Sequence, residues 1–228
     1  GQLCKKEYCT GLVKETFTQI DVIKKLANKH LIVDNGTGFL KMAYEEVLYP
    51  CLFLLKKMYA GVEHQHIVNF EPHVDELFTK GLSLKRRGTS EVLKTVCKEV
   101  LMEILNINTT DTVRTIVQRK IKEIYDRDWE MTDFKKTAVY KPSKQNVSVR
   151  TFLKRMEDRD DPMCPIPQSG ERFEYVVVKK YPFRYDLKGR KTKLKIGEMW
   201  EYYTYAKEQN LQIDLDYYMT GGIIGQFA

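Results

Sequence analysis

Carboxylates, histidines and cysteines are the side chains that could do chemistry, and few of them stand at a useful spacing. Asp214 and Asp216 flank one leucine. On a strand they would share a face, as a metal-holding pair should. Tyr217 and Tyr218 follow, however, and the stretch reads better as a helix start, where acids suit the positive end of the dipole. Asp126, Asp128 and the run Asp158 to Asp161 fall at helix ends or in a loop and read as solvated surface. His64 and His66 alternate along a strand, but no nearby acid or cysteine completes a ligand set. Cys4 and Cys9 could form half of a zinc site, which needs four ligands, and no second pair exists. The five cysteines, Cys4, Cys9, Cys51, Cys97 and Cys164, are odd in number and scattered. That pattern fits free thiols in a reducing, intracellular compartment.

Cations carry more information. The chain has 228 residues and a formal net charge of +7, which favours an anionic partner, nucleic acid or membrane surface. Lys56-Lys57-Met58-Tyr59-Ala60-Gly61 joins two β-like runs. Adjacent ammonium groups and a tyrosine hydroxyl at a strand turn suit a phosphate backbone, adding charge and hydrogen bonds without reading sequence. From chemistry alone, a solvated lysine pair at a β-turn is the plainer reading. Lys179 to Lys195 is the densest patch, with eight Lys and Arg against the single acid Asp186. Lys188-Gly189 reads as its hairpin tip. Such a run is otherwise a solvated face or a nuclear-import signal.

The elements that must hold these groups follow from periodicity. Residues 12–30 read as an amphipathic helix through Val13, Phe17, Ile20, Ile23 and Ala27. A β-rich stretch runs from Phe39 to Leu82, with strands broken at Pro50 and around Lys56 and Gly61. The pattern changes near Gly88. Thr89 or Ser90 can cap a helix whose stripe is Val92, Leu93, Val96, Cys97, Val100, Leu101, Ile104 and Leu105. Further helices are expected over Asp111–Tyr125, Val147–Met156, Tyr202–Gln209 and Leu215–Met219, with a strand over Phe173–Val178. No apolar run is long enough to span a membrane. The N-terminus carries no apolar signal-peptide core, and both ends look cut from something longer.

At this point a resemblance enters. Lys56-Lys57-Met58-Tyr59-Ala60-Gly61 resembles the Lys-Lys-x-Tyr-Ala-Gly motif of family B DNA polymerases. Glu76 to Leu82 with Lys85-Arg86-Arg87 is similar to the family's Lys-Gly strand and the basic pair after it. Phe134-Lys135-Lys136-Thr137 resembles the start of the thumb. Ser169-Gly170-Glu171-Arg172 through Val178 resembles the thumb strand Gly-Asp-Arg-x-x-Tyr-Val-Ile-Val. Ile213 to Tyr218 resembles the late thumb segment. The five elements come in family order, and the wording from Asn35 to Leu48 resembles the polymerases of large cytoplasmic DNA viruses, the asfarvirus type in particular.

The resemblance implies an α+β fold. Residues 1–88 would be an antiparallel palm-sheet remnant with a helix. Residues 89–228 would be a mostly helical thumb, truncated at its C-terminal side, with a small β-hairpin. It implies a primer–template duplex-binding portion of a DNA-directed DNA polymerase, the alternative being a stand-alone, non-catalytic DNA-binding module derived from one. Duplex DNA would be gripped by Lys56, Lys57, Tyr59, Gly61, Lys80, Lys85, Arg86, Arg87 and Lys136, and along the hairpin by Lys188, Arg190, Lys191 and Lys193. Glu45 matches a family glutamate that would support the metal ligands. The family's catalytic motifs, Asp-x-x-Ser-Leu-Tyr-Pro-Ser and Tyr-Gly-Asp-Thr-Asp-Ser, do not occur in this sequence. The Mg²⁺ of the parent enzyme would therefore be bound mainly by residues outside this chain, and the chain alone is expected to be inactive. Other expected partners are the remainder of the polymerase chain and a processivity factor, in a viral factory of the cytoplasm or in the host nucleus.

Overall fold

The computed structural model describes residues 6–35, 39–43, 47–64, 77–82, 84, 86–106, 108–142, 147–180, 183–185 and 189–227. The chain divides into two compact units, Gly1–Gly81 with Leu101–Thr112, and Leu82–Val100 with Val113–Ala228. It is an α+β protein built from small antiparallel sheets and helices.

The first unit holds helix α1 (Lys6–Asn35) and the strands β1 (Val47–Leu55), β2 (Met58–His64) and β3 (Leu77–Lys80). The helix is longer at both ends than its apolar repeat predicts. Its Asn28 side chain bonds both backbone groups of Met42, accepting from the N–H at 2.6 Å and donating to the carbonyl at 2.9 Å. Ile23, expected in the apolar stripe, is 58% exposed.

The three strands form one antiparallel sheet in the order β1-β2-β3. Two expected breaks are absent. β1 runs straight through Pro50 because the register shifts between Leu48 and Cys51. A one-residue bulge takes the proline, which has no N–H to give, out of the ladder. β2 likewise continues through Gly61, where a Cβ would lie 2.9 Å from Leu48 Cβ and 3.0 Å from the Pro50 carbonyl. Glycine makes room for the bulge instead of ending the strand. The break at Lys56 is real: Lys56 and Lys57 form the turn between the paired residues Leu55 and Met58.

Helix α2 (Glu91–Ile104), whose residues up to Val100 belong to the second unit, and α3 (Val113–Asp126) of that unit bury the stripes that their spacing predicts, with Val92, Val96, Val100 and Ile116 fully covered. The Ser90 hydroxyl is buried without a hydrogen-bond partner, so it does not cap α2, although its carbonyl accepts from Lys94 N–H. A second antiparallel sheet has the order β4 (Lys136–Val139), β5 (Arg172–Val177), β8 (Trp200–Tyr202). Helix α4 (Val147–Arg159) buries Val149, Phe152, Leu153 and Met156. Phe152 stacks on Phe173 at 5.4 Å between ring centres and meets Tyr202 edge-on at 5.1 Å. Between β5 and β8 the chain makes a hairpin of β6 (Phe183–Tyr185) and β7 (Lys191–Lys193).

After β8 come α5 (Tyr203–Glu208), α6 (Leu215–Tyr217), a π-helical stretch Tyr218–Ile224 and α7 (Gly225–Phe227). Tyr218, fully buried, ties this end to the second sheet: its hydroxyl donates to the Phe134 carbonyl at 2.7 Å and accepts from Val177 N–H at 3.0 Å. Among the described residues no helix is long and apolar enough to cross a membrane.

Candidate nucleic-acid interface

The lysine pair sits at the tip of the β1–β2 hairpin. Lys57 adopts a left-handed conformation, φ 64°, and both lysines are exposed and without a carboxylate partner among the described residues. Phe53, Tyr59 and Lys80 are successive cross-strand neighbours. Side chains directly opposite one another share a face, so the three form one row across the sheet. Tyr59 lies 5.8 Å from Phe53 and 5.9 Å from Phe78 between ring centres, and the Lys80 ammonium is 6.0 Å from the Tyr59 ring. The rings brace Tyr59 from both sides and leave the cations at the margin of an aromatic strip. Gly61 is buried under the bulge.

In the second unit Arg86 and Arg87 are exposed. Lys136, on β4, is only partly exposed, with its ammonium 5.4 Å and 5.9 Å from the Tyr217 and Tyr218 rings. Burial pulls its pKa below the usual lysine value. Arg190, Lys191 and Lys193 are exposed on the hairpin, where Gly189 has φ 73° and Tyr185 pairs with Lys191. Lys85, Lys188 and Glu45 lie outside the described residues, as does His66.

Residue by residue, the acidic candidates have other work. Asp214 caps α6 by accepting from Tyr217 N–H at 3.0 Å. Asp216 accepts from the Tyr125 hydroxyl at 2.5 Å, a bond that raises the Tyr125 pKa to about 12. Among the described residues no three His, Cys, Asp or Glu side chains converge on a point that could hold a metal ion. The described acidic residues do not fit a Mg²⁺ site.

Sequence reasoning missed the main ionic cluster of the second unit. Glu201 on β8 is 2% exposed and meets three cations. Arg155 reaches it at 2.6 Å, Arg159 at 3.0 Å and Lys180 at 2.5 Å. Arg155 also donates to the carbonyls of Gly197, Glu198 and Trp200, and Lys180 to that of Glu198. Burial alone would raise the Glu201 pKa, but the bonds from Arg159 and Lys180 more than offset it and hold the carboxyl below its usual value. Lys180, counted by sequence in the basic patch, is thus turned inward. The available signal was Arg155 and Arg159 at i, i+4, on the same side of α4.

The chain matches the DNA polymerase family B over residues 11–228. It is 33% identical over 217 residues to the African swine fever virus protein named DNA polymerase beta, covering 88% of this chain and 18% of that one. It is 24% identical to a DNA polymerase of Pyramimonas orientalis virus (80% of this chain, 14% of that one). It is 27% identical to the DNA polymerase delta catalytic subunit of Candida albicans (91% and 19%). Its fold resembles the family B DNA polymerase from the archaeon Pyrobaculum calidifontis, with a TM-score of 0.51 at 16% identity over 87% of this chain and 23% of that one. The chain therefore belongs to DNA polymerase family B, and among these relatives it is most similar to the asfarvirus protein. It spans less than a fifth of the length of the curated relatives it matches.

Proposed function

We propose that this chain is the primer–template-gripping palm and thumb portion of a DNA-directed DNA polymerase. The observation that carries the reading is the exposed Lys56-Lys57 turn beside the braced Phe53–Tyr59–Lys80 row. Two ammonium groups without a carboxylate partner, on a turn fixed by its own strand pairing, are suited to hold adjacent phosphates in register. Contacts of this kind position a duplex and carry no sequence information. The hairpin residues Arg190, Lys191 and Lys193 extend the grip along the duplex.

The chain alone is not expected to incorporate nucleotides, because neither catalytic aspartate motif occurs in its sequence. Duplex binding should be indifferent to sequence and sensitive to salt, with a log–log slope of roughly −0.9 per neutralised phosphate. Binding of labelled primer–template to the chain, titrated across about 50 to 200 mM salt, tests this: four to six contacts predict a loss on the order of a hundredfold or more. A flat salt response, or a strong preference for one sequence, would sink the reading.

A further inference from the structure

The basic hairpin leaves the second unit at one root and returns at another, and a single carboxylate serves both. Among the described residues β6 and β7 form a two-stranded sheet of their own, joined to no further strand. Their direction is therefore set at the roots. The chain enters after Val178, and it returns at Lys195 and the short turn Ile196–Glu198.

At the entry, Val178 N–H donates to the Met199 carbonyl at 2.9 Å and Lys179 N–H to the Gln212 carbonyl at 2.8 Å. Lys180 then turns inward. Its ammonium donates to the Glu198 carbonyl at 2.8 Å and to Glu201 Oε1 at 2.5 Å. At the return, Lys195 N–H donates to the Glu198 carboxylate at 2.5 Å. Gly197 lies so near α4 that a Cβ would stand 2.2 Å from the Ser148 carbonyl oxygen. Arg155 of α4 donates to the Gly197 and Glu198 carbonyls and to Glu201 Oε1. The Glu198 carbonyl thus accepts from Lys180 at one root and from Arg155, which holds the other. Glu201 Oε1 bonds the same two cations.

At 2% exposure, Glu201 is too deep to meet a ligand itself. What it can do is fix its neighbours, because charge-assisted bonds are shorter and stronger than neutral ones, and a satisfied buried network rigidifies what it joins.

We infer that Lys180 and Glu201 are positioning residues: their ion pair aims the hairpin, and with it Arg190, Lys191 and Lys193, at the duplex. Neither touches DNA. The inference rests on the duplex-binding reading above and adds to it the means by which the arm is held.

The test uses the whole chain and labelled primer–template, with affinity read against salt below the melting temperature of each variant. Lys180→Met deletes the pair and keeps the length of the side chain. It removes one inward charge, yet it should flatten the slope by more than the roughly 0.9 that one phosphate contact carries, because several contacts lose their aim. Lys180→Arg should restore the parental slope. In a hairpin already neutralised by Arg190→Gln, Lys191→Gln and Lys193→Gln, Lys180→Met should change the slope no further, the non-additivity of coupled residues. Where Lys180→Met does not fold, Lys180→Gln, which keeps a donor for the Glu198 carbonyl, carries the same comparison. A parental slope in the Lys180 variants, beside a flatter one in the hairpin variant, overturns the inference and leaves the duplex reading standing. The pair would then serve stability alone. A loss of about 0.9 that adds to that of the hairpin variant overturns it too, since Lys180 would itself be a phosphate contact. A parental slope in the hairpin variant takes the hairpin out of the grip, and the inference with it. No duplex binding by the unaltered chain removes the duplex reading as well.

Discussion

The peptide carbonyl of Lys57 fills the space where a side chain on Gly81 would begin. Both residues are left-handed, Lys57 with φ 64° and Gly81 with φ 77°. The tip of the lysine hairpin is therefore seated on the end of β3, and the direction of its two ammonium groups depends on a residue that has no side chain.

Gly81→Ala should destabilise the first unit by about 1–3 kcal/mol, combining a disfavoured backbone conformation with the collision against Lys57. Urea or thermal unfolding measures it. A variant as stable as the parent would mean that the turn is not seated as described.

Lys57→Asn separates stability from binding. Asparagine tolerates the left-handed region better than lysine, so the variant should melt at the same temperature or slightly above. Its duplex affinity should nevertheless fall, with the salt slope shallower by roughly 0.9. Unchanged affinity would remove Lys57 from the interface.

Tyr218→Phe keeps the ring against Phe134, 5.1 Å away, and deletes the hydroxyl that serves Val177 N–H and the Phe134 carbonyl. Two buried backbone groups lose their bridge, for an expected loss of about 1–3 kcal/mol. Hydrogen exchange at the Val177 amide should rise with it.

Glu201→Gln leaves Arg155, Arg159 and Lys180 facing a neutral amide, and breaking a buried pair of this kind costs about 3–5 kcal/mol. The pH dependence has a definite sign. The folded-state carboxyl lies below its ordinary value of 4.5, so its contribution is present above that pH and lost as pH falls through the folded pKa. The acid limb of a melting-temperature profile should be flatter in the variant than in the parent. Parallel acid limbs would assign acid sensitivity elsewhere.

The helices were legible because a covered helix writes its buried face at a fixed spacing. Val149, Phe152, Leu153 and Met156 were readable for that reason, as were the stripes of α2 and α3. The strands β4 and β8 were not. Each has three or four residues, too few for alternation to show, and β8 is all buried, so it has no polar phase. Pro50 and Gly61 misled in a related way. Each is a strand breaker alone, but a bulge opposite a glycine accommodates both, and that compensation exists only once the strands pair. In the site, contiguous cations such as Lys56-Lys57 stood out. The Glu201 cluster did not, because its three cations lie 21 to 46 residues from that carboxylate along the chain.

Arg155 and Arg159 of α4 depend on their spacing as much as on their charge. Substitutions alter one side chain, but an inserted residue turns everything beyond it by about 100°. A single insertion between Arg150 and Arg155 would swing Arg155 and Arg159 away from Glu201 and leave that carboxylate sealed in with Lys180 alone. Within this stretch the spacing of the helix cannot drift without undoing the cluster. Length, more than identity, is what this segment has to inherit.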